Sequence, residues 1–141
     1  ALHDELIPQL TKRYRIADSP DERILAGRRG GAVAAVYTTL RYPKTFGHCL
    51  AISYGRADTV RADMIHDLIH GDADHKPKFH IAWNRYDVRR PQSFSCRIQS
   101  RELSERLKYH GYRVTGGEDP TGAGWRSWRA QFGTAIQTLL Q

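Results

Sequence analysis

The sequence predicts an α+β domain in which an antiparallel sheet carries helices packed on one face. Two observations support this class. Short runs rich in β-branched and aromatic residues occur at 32–40, 48–54, 78–86 and 93–98 and are typical of strands. Segments with apolar residues at helical spacing lie between and after them. The chain has 141 residues, which fits one domain, 1–141, that can bury its own core.

The N-terminal half is predicted to hold one helix, one loop and two strands. Residues 2–14 place Leu2, Leu6 and Leu10 on one helical face. Residues 17–31, ADSPDERILAGRRGG, are polar and glycine-rich, so we expect a loop there. The runs AVAAVYTTL (32–40) and HCLAISY (48–54) are predicted strands, and YPKTFG fits the turn between them.

The C-terminal half is predicted to alternate helices with a hairpin. Residues 58–70 show helical spacing after the possible caps Asp58 and Thr59. KFHIAWNRY (78–86) and SFSCRI (93–98) are predicted to form the hairpin, and SRELSERLKYHG forms a helix that ends at Gly111. YRV adds a short strand, and GGEDPTGAG is a loop. The last helix carries an apolar stripe that begins at Trp125 and ends at Leu139.

Side-chain alternation along residues 79–85 predicts a central strand with two unlike faces. Phe79, Ile81 and Trp83 point one way, toward the helices. His80 and Asn84 point the other way. The sequence therefore predicts that the polar face of this strand is open or borders a cleft.

The charge balance favours a nucleic-acid partner. Lysine and arginine number 22 against 15 aspartates and glutamates, a formal net charge of +7. The alternative is a solubilising surface without a partner. Arg28 and Arg29 in the GRRGG loop could hold phosphates, or the loop could be a plain linker. No apolar run is long enough to span a membrane, and two cysteines, Cys49 and Cys96, favour a reducing cytoplasm.

The segment HGDADHKPKFHIAWNR, residues 70–85, concentrates titratable groups before the central strand. Three neutral imidazoles, His70, His75 and His80, could hold a divalent ion such as Mg or Mn. Asp72 or Asp74 could then accept the second ring N–H of a ligand histidine. The alternative is a solvated charged turn that precedes a core strand.

This segment resembles the metal-binding motif of conjugative relaxases, the border-nickase-like branch of the HUH endonuclease superfamily. The matching positions are His70, Asp72, Asp74, His75, Pro77, His80, Asn84 and Arg85. Two departures stand out: Lys76 is an insertion, and Lys78 replaces the middle ligand histidine of the family. The segment RELSERLKYHGYRV resembles the helix that follows the motif, and LIPQLTKRYR faintly resembles the region that carries the nucleophilic tyrosine.

The resemblance implies catalytic roles for three residues. Tyr14 would attack a phosphodiester, with Tyr37 as the fallback, while Asp72 or Asp74 orients a metal ligand. Either the metal site is rebuilt from the three histidines of the segment, or metal binding has been lost because Lys78 cannot be a ligand.

Lys78 and Arg85 would then contact nucleic acid, together with Arg28 and Arg29. Lys78 can neutralise a phosphate directly, as a point charge.

Three functions follow as hypotheses. The first is a metal-dependent nickase of single-stranded DNA that acts in conjugative or plasmid DNA transfer. The second is a non-catalytic nucleic-acid-binding descendant of the relaxase fold. The third is a small basic ribonuclease of the toxin type. The expected partners are single-stranded or duplex DNA and proteins of the transfer machinery, with no membrane.

Overall fold

The computed structural model describes residues 2–55, 58–71, 73–86, 95–122 and 124–141, and its sheet is entirely parallel. The strands are β1 (Ile24–Arg28), β2 (His48–Ile52), β3 (Lys78–Asn84) and β4 (Val114–Asp119). Each strand pairs in parallel with the next one along the chain, in the order β1-β2-β3-β4. The predicted antiparallel sheet is therefore wrong, and a crossover connection joins every pair of neighbouring strands.

Helices lie on both faces of this sheet. A short π-helical turn, Leu2–Leu6, leads into α1 (Ile7–Arg13), and a 3₁₀ turn, Pro20–Glu22, precedes β1. The crossovers contain α2 (Gly30–Arg41), α3 (Thr59–His70) and α4 (Cys96–Tyr109), and the last helix is α5 (Trp125–Leu140). Residues of α2, α3 and α4 share one apolar cluster with one face of the sheet, whereas α5 packs on the other face. The prediction of helices on one face only is also wrong.

The run AVAAVYTTL is a helix, α2, and not the predicted strand. Its buried positions follow the helical period, with Ala32, Val33, Ala35, Val36, Thr39 and Leu40 turned inward. Valine and threonine favour strands only weakly when the apolar spacing fits one helical face. The spacing of the buried residues, and not their β-branching, decides the structure here.

Three other predicted boundaries need correction. The predicted loop 17–31 contains β1, and the predicted loop GGEDPTGAG contributes its first residues to β4. The segment predicted as strand 93–98 enters α4 at Cys96, while residues 93 and 94 lie outside the described residues. The hairpin prediction is wrong because β3 and β4 are parallel and joined by α4.

The helices predicted near 58–70 and at the C-terminus are confirmed, as is the interior strand after the histidine segment. Phe79 and Ile81 are fully buried and Trp83 is 8 % exposed, on the side of α2, α3 and α4. The opposite side is not open, because α5 covers it and contacts Leu50 and Ala82 in a second cluster. Among the described residues, no helix is long and apolar enough to span a membrane.

Candidate functional site

All four strands end at the same edge of the sheet because they run in the same direction. Arg28, Ile52, Asn84 and Asp119 are their last residues, and we call this the carboxyl edge. In open parallel sheets, ligands bind in the crevice outside this edge. The loops and helix starts that follow β1 to β4 therefore define the candidate site.

The turn from β1 into α2, residues 27–31, is the most unusual piece of backbone at this edge, and we call it the elbow. Arg29 has φ 54° and ψ −120°, a conformation that L-residues rarely adopt, and its backbone N–H donates to Ile52 O at 3.1 Å. Gly27 and Gly31 allow the turn to close. A Cβ on Gly27 would lie 2.1 Å from Gly31 O, so only glycine fits.

The elbow therefore presents an arginine side chain where a strand turns sharply into a helix. In the strand–turn–helix elbow of α/β-hydrolases, written Gly-x-Ser-x-Gly, the middle residue is the nucleophilic serine. Here the same spacing reads Gly27-Arg28-Arg29-Gly30-Gly31, with Arg29 in the middle position. A guanidinium stays protonated in proteins and has no acceptor, so it cannot attack an ester carbonyl.

Arg28, the last residue of β1, reaches the start of α5. Its guanidinium carbon lies 5.6 Å from the centroid of the Trp125 ring, a cation–π contact. Trp125 is 70 % exposed and stands edge-on to Trp128, with ring centroids 5.4 Å apart. The edge thus offers a cationic group and an aromatic surface side by side.

Ser53 follows β2 directly and is the buried hydroxyl of this edge. It is 1 % exposed, its φ is 54°, and its N–H donates to Ala82 O at 2.8 Å. Its Oγ has no hydrogen-bond partner among the described residues. A buried hydroxyl without a partner carries a free-energy cost. A ligand or a water molecule that forms a hydrogen bond with Ser53 Oγ would remove this cost.

Glu118, near the end of β4, lies at the centre of an ionic cluster at the carboxyl edge. Its carboxylate accepts from Arg97 Nε at 2.7 Å, from Arg85 Nε at 2.9 Å and from Trp83 Nε1 at 3.3 Å. The Arg85 hydrogen bond, followed by those from Arg97 and Trp83, holds the pKa of Glu118 below its ordinary value. A carboxylate held ionised in this way is a weak proton acceptor, which makes Glu118 a poor general base.

No histidine occurs in the segments that follow the four strands, residues 29–31, 53–58, 85–95 and 120–124. All seven histidines of the chain lie in the described ranges. His48 begins β2, and His75 precedes β3. His70 ends α3 and stacks against His66 and His110, with ring centroids 3.9 and 4.1 Å away. These segments therefore supply no imidazole that could activate a hydroxyl nucleophile, and His80 lies further back, within β3.

The structure does not bring the three predicted metal ligands together. His70 belongs to α3, on one face of the sheet, whereas His80 lies on the face covered by α5. His75 lies 4.0 Å from Asp21 Oδ1, in front of β3. Within the described ranges, no three histidine, cysteine, aspartate or glutamate side chains form a group able to hold a metal ion.

The predicted catalytic residues are also scattered. Tyr14 ends α1 and is 64 % exposed, and Asp74 is exposed before β3. Asp72 lies outside the described residues.

Among the predicted nucleic-acid contacts, Lys78 begins β3, at the edge opposite the elbow. Arg28, Arg29 and Arg85 lie at the carboxyl edge, after β1 and after β3. The sequence selected these arginines as nucleic-acid contacts, a role that belongs to the relaxase resemblance and not to this fold.

Neither Glu118 nor Ser53 was selected from the sequence. The signal that could have found the site is the spacing Gly27-x-x-x-Gly31 between a strand and a helix. That signal was hidden because residues 24–28 were assigned to a loop and α2 to a strand.

The parallel sheet is covered by helices on both faces, and a glycine elbow joins its first strand to a helix. These features are those of an α/β-hydrolase-type fold. A family model for "Putative esterase", named Esterase, matches residues 1–139. The chain belongs to this family.

Comparisons with individual proteins agree with this family. The chain is 38 % identical over 53 residues to an iron(III) enterobactin esterase of Dickeya dadantii, a match over 38 % of this chain and 12 % of that protein. Enterochelin esterase from Shigella flexneri superimposes with a TM-score of 0.79 at 19 % identity, over 100 % of this chain and 36 % of that one. A ferulic acid esterase gives 0.79 at 16 % identity, over 99 % and 59 %.

The chain thus spans about a third of the length of the Shigella flexneri enzyme. These findings overturn the relaxase resemblance, together with the nickase, its nucleic-acid-binding descendant and the toxin-type ribonuclease. For the same reason, the prediction that DNA and proteins of the transfer machinery are the partners is wrong. The His-Asp segment matched a relaxase motif by letters, but here it connects α3 to a parallel strand.

Proposed function

We propose that this chain is an enterobactin-esterase-like protein that binds an aromatic, anionic small molecule at its carboxyl edge without cleaving it through a serine at the elbow. The observation that carries the proposal is Arg29, which occupies the nucleophile position of the elbow with its φ of 54°. The chain has the strand–turn–helix backbone that presents the nucleophile in α/β-hydrolases, but the side chain at the centre of the turn is a cation.

The chemistry of the edge supports an anionic ligand. Arginine binds carboxylates and related oxyanions with a planar array of donors. Arg29 lies at the N-terminus of α2, where backbone N–H groups and the helix dipole also favour negative charge. The Trp125 ring beside Arg28 supplies a surface on which an aromatic group can stack.

The names of the relatives supply the first ligand to test. One structure of the Shigella flexneri enzyme was determined with 2,3-dihydroxy-N-benzoyl-glycine, an aromatic carboxylate by its name. Titration calorimetry should detect binding of this compound to the wild type. Arg29→Gln should weaken it by roughly 10- to 100-fold, because a charged hydrogen bond contributes about 1.5–3 kcal/mol.

Arg101→Gln is the matched control for this titration. It removes one positive charge from an exposed position of α4, away from the elbow, and should leave the affinity unchanged. Equal losses in the two variants would reduce the effect to general charge and contradict a site at the elbow. As part of this proposal, Cys49 and Cys96, both buried and not joined in a disulfide, support a reducing compartment such as the cytoplasm.

Ester hydrolysis is the second candidate, because the family is one of esterases and Ser53 offers a hydroxyl at the same edge. A fluorophosphonate probe, which reacts with activated serines, separates the two candidates. We expect no labelling of the wild type and no hydrolysis of p-nitrophenyl acetate above the buffer rate. Labelling that disappears in Ser53→Ala would establish the hydrolase and refute the binding proposal.

A further inference from the structure

A second cavity lies on the opposite side of β3 and β4 from α4, between these strands and α5. Its volume is about 400 Å³, within the range of small-molecule sites. The cavity exists because the residues on both layers are small: Ala82 and Gly117 on the sheet, and Ala130 and Ala135 on α5. A Cβ on Gly117 would meet nothing within 4 Å, so the space above it is empty.

Polar residues line this cavity from both layers, and they include the last two residues of β4, Glu118 and Asp119. His80 projects from the middle of β3, and its Nδ1 lies 2.9 Å from Thr115 Oγ1. Thr134 and Gln131 line the cavity from α5. Since Thr115 occupies one ring nitrogen of His80, the other nitrogen is the one that can meet a ligand.

Gln131 is the feature that points to a ligand. Both its amide nitrogen and its amide oxygen are buried, and neither has a hydrogen-bond partner among the described residues. Each buried polar atom without a partner costs free energy that an apolar side chain of similar size would not. A donor and an acceptor left unpaired on one planar group match a molecule that presents both on one edge.

We propose that this cavity binds a small planar molecule with an amide edge, in which an N–H donor and a C=O acceptor lie side by side and pair with the Gln131 amide. Primary carboxamides, lactams and nucleobases share this edge. His80 supplies a third hydrogen bond from the side of the sheet. The proposal does not depend on the arginine site at the elbow, since neither Arg28 nor Arg29 lines the cavity.

The first experiment compares matched small molecules by NMR of the Gln131 side-chain amide. 2-Pyridone carries the full edge, whereas N-methyl-2-pyridone lacks the donor and has almost the same shape. We expect 2-pyridone to shift the Gln131 amide signals and N-methyl-2-pyridone to bind at least ten-fold more weakly. Equal binding of the two, or no shift of the Gln131 signals at millimolar ligand, would overturn the proposal.

Two further probes identify the source of the amide edge. Nicotinamide represents carboxamides and uracil represents nucleobases. The compound that binds with the higher affinity identifies the class of ligand. These titrations follow the Gln131 amide signals, whereas the titration with the aromatic carboxylate tests the elbow. Either proposal can therefore fail while the other holds.

Variants of α5 provide the second experiment. Gln131→Met removes both unpaired atoms at nearly constant volume, so it should raise the melting temperature and lose at least ten-fold in 2-pyridone affinity. Gln137→Met, at an exposed position of the same helix, should change neither. A Gln131→Met protein that is less stable and still binds would show that the amide has a structural role, which contradicts the proposal.

Discussion

The close approach inside the elbow can be tested by adding one methyl group to Gly27. In Gly27→Ala the new Cβ would lie 2.1 Å from Gly31 O and 2.4 Å from Gly31 C, both backbone atoms of α2. Backbone cannot rotate away as a side chain can, so β1 and α2 must separate. We expect a loss near the upper end of the cost of overpacking, about 3 kcal/mol, or roughly 10 °C in melting temperature for a chain of this size.

Gly31→Ala is the matched control, because a Cβ there meets nothing within 4 Å and Gly31 lies in the first turn of α2. Its stability should stay the same or rise by up to about 1 kcal/mol, since alanine favours the helix over glycine. Urea unfolding followed by circular dichroism measures both variants against the wild type. If Gly27→Ala unfolds at the same urea concentration as the wild type, the strand and helix do not meet at the elbow as described.

Two further predictions concern buried titratable groups. Burial lowers the pKa of His80 from its ordinary value of 6.5, so the unfolded chain takes up this proton first as the pH falls. The free energy of unfolding should therefore decrease below about pH 6.5, and His80→Gln should decrease less; equal slopes in the two proteins would refute this. Burial also raises the pKa of the Cys49 thiol to about 12, so Cys49 should react with Ellman's reagent only after unfolding, and rapid reaction of the native protein would contradict its position in the core.

The sequence predicted those elements whose signal is local. The helix α3 follows its cap, since Asp58 Oδ1 accepts from the Arg61 N–H at 2.8 Å as the sequence suggested. The stripe that begins at Trp125 is α5, and Phe79 to Trp83 alternate as expected in β3. Each of these patterns depends only on residues close to one another in the chain.

The direction of strand pairing could not be predicted in the same way. β3 pairs with β2 and β4, which lie about thirty residues away on either side in the sequence. The residue types of β3 do not indicate whether these neighbours run parallel or antiparallel to it. A polar face on β3 suggested that this side of the sheet is open or borders a cleft. In the structure this face is covered by α5, and His80 is accommodated there by Thr115 and a cavity.

The candidate site was partly within reach of the sequence. Arg28 and Arg29 were selected from the GRRGG stretch, but as phosphate contacts on a loop. Once β1 and α2 are recognised, the same five residues form an elbow with an arginine in the middle position. The histidine segment led to a wrong prediction because it matched the residue types of a motif. Metal binding requires three side chains to converge in space, and His70 and His80 lie on opposite faces of the sheet.

The position of α5 at the end of the described sequence sets the order in which the two sides of the sheet can be completed during synthesis. The side that bears α2, α3 and α4 can assemble as each crossover emerges from the ribosome. Leu50 and Ile52, which contact α5 residues, must wait until residues 125–140 have been made. At that stage the nascent chain presents an apolar sheet surface of the kind that chaperones recognise, so truncation before Trp125 should yield a protein that aggregates.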